Sequence, residues 1–137
     1  MTVTVDINVL LDVFQQREPH YAASAQVVAL VTSGRLTGVC PAHGLTTLYY
    51  LVRRHGSKPD AELAMDRVLA AFTIGSLDRE AWRQARMLPL PDFEDAAVAM
   101  VAKASSSSFI VTRNVGDFVE SSVPAISPAD FLSQFSA

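Results

Sequence analysis

Cysteine is almost absent. Cys40 stands alone, so an internal disulfide is excluded, and its setting in Val39-Cys40 suggests a buried apolar thiol rather than a nucleophile. Long apolar runs are missing as well: none approaches the ~20 residues that span a bilayer. The first, Val3 to Val5, is cut by Asp6 with no basic residue before it, which is not the pattern of a secretory leader. We therefore expect a soluble, cytoplasmic protein. Charge is sparse, at 18% of residues with a net −3, so there is no basic excess with which to grip nucleic acid. That exclusion is weaker than it looks. With Asp6, Asp92, Asp95 and Asp117 set aside, 11 basic residues face 10 acidic ones (14 less these four).

Apolar residues, by contrast, make up half of the chain, which places it among globular proteins. Its 137 residues suit one domain, spanning 1–137, with about two thirds of the unfolded surface buried. Neither a repeat nor a linker interrupts it.

Thr2-Val3-Thr4-Val5 alternates like a short strand that Asp6 ends, and Asn8 is placed to cap a helix carrying Val9, Leu10, Leu11, Val13 and Phe14. After Pro19, Tyr21 to Thr32 reads as a second helix with Ala25, Val28, Ala29 and Val31 inward. Leu36 to Cys40 reads as a strand, Pro41 as the opening of a helix that ends near Gly56, and Ala61 to Phe72 as a further helix with Pro59 in its approach. Thr73-Ile74 suits a brief strand, and Asp78 the cap of Arg79 to Met87. Pro89 and Pro91 break the chain before a helix from Asp92 to Ala104. A polar serine loop leads to a buried strand, Phe109 to Thr112. Ala125-Ile126 and a helix from Pro128 to Phe135 complete the chain. Short apolar strands alternating with helices predict an α/β three-layer sandwich around a mainly parallel sheet.

Such sheets gather ligands beyond the carboxyl ends of their strands. Asp6 follows the first strand there, Asn114 and Asp117 follow Phe109 to Thr112, and Asp92 and Asp95 share one helical face at i, i+3 spacing. Clustered carboxylates repel one another unless a cation neutralises them. Oxygen ligands without His or Cys suit Mg²⁺ or Mn²⁺ rather than zinc, and phosphodiester hydrolysis is a natural use of such an ion. Each acid also has a structural reading. Asp92 is equally suited to be a helix cap and dipole partner, and Asp12 reads as a solvated or cap-supporting acid. Asp6, flanked by Val5 and Ile7, has less structural reason to be there.

Three segments, Val5 to Asp12, Asp92-Phe93-Glu94-Asp95-Ala96 and Ile110 to Phe118, resemble the PIN-domain family, specifically its VapC-like toxin branch. The resemblance extends over essentially the whole chain, including Ser121 to Leu132. It implies a PIN fold, Mg²⁺- or Mn²⁺-dependent endoribonuclease activity on RNA, a cognate antitoxin and a homodimer, for which the alanine-rich helices and Tyr49-Tyr50 would supply an apolar interface. Residue by residue, Asp6, Asp95 and Asp117 match metal-binding acids, Asn114 a polar site position and Asn8 a support for the first acid, while Asp92 contributes less directly. The site set is thus Asp6, Asp95, Asp117 and Asn114 for catalysis, with Asp92 joining the three acids on the metal. One position departs from the pattern. Many PIN nucleases carry a glutamate in a segment resembling Thr-Glu-Leu-Tyr-Tyr, where this chain reads Thr46-Thr47-Leu48-Tyr49-Tyr50. Thr47 supplies no charge, so a weakened module that binds RNA or a protein without cleaving is the alternative.

The remaining polar and aromatic residues point less sharply. His20, His43 and His55 lack ligand spacing, and Tyr49-Tyr50 and Trp82 read as core or interface residues before base-stacking platforms. Arg53-Arg54-His55, with Lys58 nearby, reads as a solvated helix end that complements the dipole, or else as a phosphate contact. A phosphoacceptor receiver domain, which also clusters acids at strand ends, would require a late lysine after a strand. Lys58 and Lys103 are the only lysines, and neither is so placed.

Overall fold

A computed structural model describes residues 1–135. Strand β1 (Thr2–Val5) leads into helices α1 (Ile7–Phe14) and α2 (Tyr21–Thr32), and β2 (Thr37–Pro41) into a 3₁₀ turn, then α3 (Leu45–His55) and α4 (Lys58–Ala71). Strand β3 (Thr73–Gly75) precedes α5 (Arg79–Met87) and α6 (Phe93–Ala104). Then come β4 (Phe109–Val111), a second 3₁₀ turn (Val115–Phe118), β5 (Ala125–Ile126) and α7 (Pro128–Phe135).

The five strands form one sheet in the order β3-β2-β1-β4-β5, and every pairing is parallel. This is the expected three-layer α/β sandwich. In β1, the central strand, Thr4 pairs with Val39 on one side and Ile110 on the other. Alternation along the strands divides the core. Val3, Val5 and Val111 face a large cluster with Val9, Leu10, Leu48 and Phe131, whereas Ile110 faces a smaller one with Ala96, Met100 and Phe118. Cys40 lies in the larger cluster, fully buried. Burial, aided by the negative charge of Asp6, pushes its thiol up to about 12, so it behaves as an apolar side chain.

The strand order also fixes where a site can form. From β1 the chain builds outward through β2 to β3, then crosses to β4 on the other side of β1 and continues to β5. The direction of winding therefore reverses between β1 and β4, and the segments leaving their carboxyl ends diverge to leave a crevice. Asp6 stands at one lip, and Thr112 to Asp117 at the other.

Several local expectations are corrected. Asp6, not Asn8, caps α1, its carboxylate accepting from the Ile7 N–H; Asn8 is the second helical residue. Pro41 closes β2, and a 3₁₀ turn intervenes before α3. Helix α4 starts at Lys58 because Ser57 accepts from the Asp60 N–H and Pro59 is tolerated in the first turn. Helix α2 buries Ser24, Val27 and Val31, a face rotated from the one that its alanines marked. Ser24 turns inward because its hydroxyl donates to Asp12 at 3.1 Å. Asp12 itself is not solvated. It is fully buried and meets the Arg113 guanidinium at 2.8 Å.

Close packing on the far side of the sheet depends on Gly75, where a Cβ would lie 2.5 Å from Val101 and 2.8 Å from Val39. The last strand before α5 can thus lie against α6, the helix that carries Asp95.

Candidate acidic site

Asp6 is the fixed point of the crevice. Its backbone N–H donates to the Val111 carbonyl at 3.0 Å, joining the end of β1 to that of β4. Its carboxylate, 8% exposed, accepts from the Ile7 N–H at 2.8 Å and from the Thr112 hydroxyl at 2.9 Å. Asn8 donates a longer bond of 3.4 Å to the same carboxylate and one of 3.3 Å to Thr112 Oγ1. The Asn8 side-chain oxygen in turn accepts from the Arg113 N–H at 3.4 Å, and Thr112 Oγ1 accepts from the Asn114 N–H at 3.1 Å. The support expected of Asn8 is therefore present, and it is shared with Thr112. Burial raises the Asp6 carboxyl above its ordinary value, the bonds from Thr112 and Ile7 oppose that rise, Glu94 adds to it and Arg113 lowers it.

Asp95 approaches from α6. Asp92 caps this helix, accepting from the Asp95 N–H at 3.0 Å, so both readings of Asp92 meet at one place: the cap itself brings its charge beside Asp95. The Asp95 carboxyl is pushed up to about 6, first by burial and then by the negative charges of Asp92, Asp6, Asp117 and Glu94. Acids from three separate segments therefore share one electrostatic environment. Asp117 reaches it from the exposed 3₁₀ turn after β4. Asn114 is exposed beside it and tied in through its backbone bond to Thr112. Among the described residues, no three Asp, Glu, His or Cys side chains converge on a single point. The acids are therefore gathered loosely and do not form a closed cage.

Glu94, Thr112 and His43 were not singled out as site residues by the sequence. Glu94 acts electrostatically on Asp6, Asp95 and His43, and its only signal was its place inside Asp92-Phe93-Glu94-Asp95. Thr112 lies at the end of an apolar strand and within the Ile110 to Phe118 segment that carries the resemblance, with no role of its own assigned there. His43, in the 3₁₀ turn after β2, is depressed by burial, with Glu94 opposing through its charge and a backbone hydrogen bond. Thr47 is exposed on α3 and brings no charge.

An all-parallel sandwich with carboxylates gathered at its switch point defines a class of α/β proteins that place acids beyond the carboxyl ends of their central strands. The PIN domain family model matches residues 2–116, and the chain belongs to the PIN-domain family. Solved structures share the fold. A chain of VapBC2 from Rickettsia felis, crystallised with a DNA fragment from its promoter, superposes with a TM-score of 0.69 at 16% identity, covering 93% of this chain and 98% of that one. VapC20 of Mycobacterium tuberculosis, a toxin that cleaves the sarcin-ricin loop, gives 0.66 at 14% identity, over 79% of this chain and 86% of that one. FitAcB from Neisseria gonorrhoeae gives 0.66 at 15% identity, over 93% and 98%. No curated protein sequence matches the chain. Among the described residues, no helix is long and apolar enough to cross a membrane.

Proposed function

We propose that this protein is an endoribonuclease that hydrolyses RNA phosphodiester bonds with Mg²⁺ or Mn²⁺, and the toxin of a type II toxin–antitoxin pair. The observation that carries the reading is the setting of Asp95, half-buried and raised to about 6 first by burial and then by four neighbouring acids, in a chain of the PIN family. A carboxylate whose ionised form is disfavoured by burial and by neighbouring acids is one that a divalent cation would stabilise. The donors also fit a hard ion, since they are oxygens. His43 is hydrogen-bonded to the Glu94 backbone and packs against Trp82.

Asp6, Asp95 and Asp117 would hold the ion, with Asp92 contributing charge beside Asp95. Glu94, whose charge also bears on Asp6 and Asp95, would add a further carboxylate where Thr47 brings none. A bound divalent ion would supply positive charge against the developing phosphate charge and make water a better nucleophile at neutral pH. The protein's own part is orientation. Thr112 and the Ile7 N–H fix the Asp6 carboxylate, and Asn114, held by its backbone to Thr112, presents its amide to a phosphate oxygen.

Purified protein should cleave structured RNA with Mn²⁺ or Mg²⁺ and lose that activity on Asp6→Asn; equal cleavage by the variant would remove the assignment. The exposed Thr47 favours a second reading, a PIN-fold module that binds RNA or a protein without cutting. Tight Mn²⁺ binding by calorimetry together with cleavage would eliminate it. An antitoxin partner is proposed for this chain, whose fold is similar to that of a VapBC2 chain, together with a homodimeric, cytoplasmic state; sedimentation with and without the product of the neighbouring reading frame tests the partner and the dimer.

A further inference from the structure

Beside the acidic site lies a group of rings that the hydrolytic reading does not use. Phe93, the first residue of α6 and flanked in the chain by Asp92 and Glu94, is 51% exposed. Its ring lies 5.7 Å from that of Trp82, tilted by 48°. Trp82 meets His43 edge-on at 5.6 Å. Neither Phe93 nor the half-buried Trp82 belongs to either buried cluster among the described residues, so packing in those clusters does not account for this pair of rings.

Helix α5, which carries Trp82, adds charge of the opposite sign. It packs through Ala81, Ala85 and Leu88. At 100° per residue, the next positions around the helix are Trp82, then Arg86, Arg79 and Arg83, and all three arginines are exposed. Only Arg83 has an ionic partner among the described residues, Glu80 at 3.9 Å. A basic stripe therefore borders the ring cluster on the side away from the core.

We propose that Phe93 and Trp82 form a stacking platform for one unpaired base of single-stranded RNA, with Arg79 and Arg86 binding the phosphates that flank it. This rests on the ribonuclease reading and adds how the substrate is held. An acidic centre repels a polyanion, so affinity has to come from neighbouring positive charge and from stacking. The arginine stripe and the exposed Phe93 ring beside the half-buried Trp82 supply both, and a ring face accepts any unstacked base.

Trp82 is the only tryptophan, so its fluorescence reports on this platform alone. The Asp6→Asn variant in EDTA would be titrated with oligouridylate roughly six nucleotides long, within the span of single-strand sites. Saturable quenching is expected, with Phe93→Leu weakening affinity about tenfold, in the range of one base stack. Arg79→Ala with Arg86→Ala should reduce the slope of log K against log salt by about 1.4, two phosphates' worth. An abasic oligomer of equal length should not quench. Equal quenching by that oligomer, or unchanged affinity in a Phe93→Leu variant whose melting curve matches the parent, overturns the platform. Absence of any response to oligoribonucleotide overturns it too and leaves the face to a protein partner. RNA cleavage by the unmodified protein without a Trp82 response refutes the platform alone, whereas a Trp82 response without metal-dependent cleavage upholds it and refutes the nuclease.

Discussion

The Thr112 hydroxyl donates to the Asp6 carboxylate at 2.9 Å, joining residues 106 positions apart. The same oxygen accepts from Asn8 and from the Asn114 N–H, so one buried hydroxyl orients groups on both lips of the crevice. Thr112→Val keeps the shape and removes these bonds, leaving buried partners unsatisfied at a cost of about 1–3 kcal/mol. Cleavage should fall in Thr112→Val and largely survive in Thr112→Ser, which retains the oxygen. Chemical denaturation with a parallel cleavage assay checks this, and equal activity in the two variants would contradict it.

The pH dependence follows from Asp95. Its folded carboxyl is raised to about 6 against an unfolded value of about 4, so between those values the folded state binds more protons than the unfolded one. This contribution to stability is complete below about pH 4 and is lost as pH rises towards about 6. Asp6 shifts in the same direction. Relative to Asp95→Asn, the metal-free protein should therefore lose melting temperature from pH 4.5 to pH 7, and Mn²⁺ should raise it more at pH 7 than at pH 5. Parallel melting curves for the two proteins would show that Asp95 carries no such strain.

A buried ion pair supports the same loop from beneath. Arg113 meets Asp12 at 2.8 Å, with the guanidinium side chain 25% exposed and the carboxylate fully buried. The two partners are therefore unequal. Arg113→Met strands a buried charge whose one remaining side-chain hydrogen bond among the described residues is from Ser24, at a cost of about 3 kcal/mol, whereas Asp12→Asn leaves a cation able to reach water and should cost less. The double variant should lose less than the sum of the two. Urea denaturation of the three proteins measures the difference.

Much of this was legible in the sequence, for identifiable reasons. Alternation in Thr2–Val5 and the apolar run after Ser108 mark two central strands, and the acids that follow them stand out because nothing apolar explains a carboxylate there. What remained hidden depends on contacts between distant segments. Asp12 lies on the same helix as Asn8, and no local pattern separates a solvated acid from one paired with an arginine about a hundred residues later. Thr112 has the composition of a strand end, and its hydroxyl acquires meaning only when β1 and β4 lie side by side. Val27 took the place of Ala25 in the core because the buried Ser24–Asp12 bond sets the rotation of α2.

The two acids flanking Phe93 should separate cleanly. Asp92 caps α6 through the Asp95 N–H, and Asn caps nearly as well as Asp, so Asp92→Asn preserves the helix start and removes one charge. Glu94 makes no cap, but its charge bears on Asp6, Asp95 and His43 together. If Glu94 stands in for the carboxylate that Thr47 lacks, Glu94→Gln should weaken Mn²⁺ binding about tenfold or more, while Asp92→Asn changes it only a few-fold, a difference on the order of 1 kcal/mol. Because Glu94 is exposed, its substitution should leave the melting temperature of the metal-free protein unchanged or slightly raised, as relief of repulsion predicts. Calorimetric titration of both variants decides the matter. Equal losses would make the two acids interchangeable sources of charge, and a larger loss from Asp92→Asn would return the fourth position to Asp92.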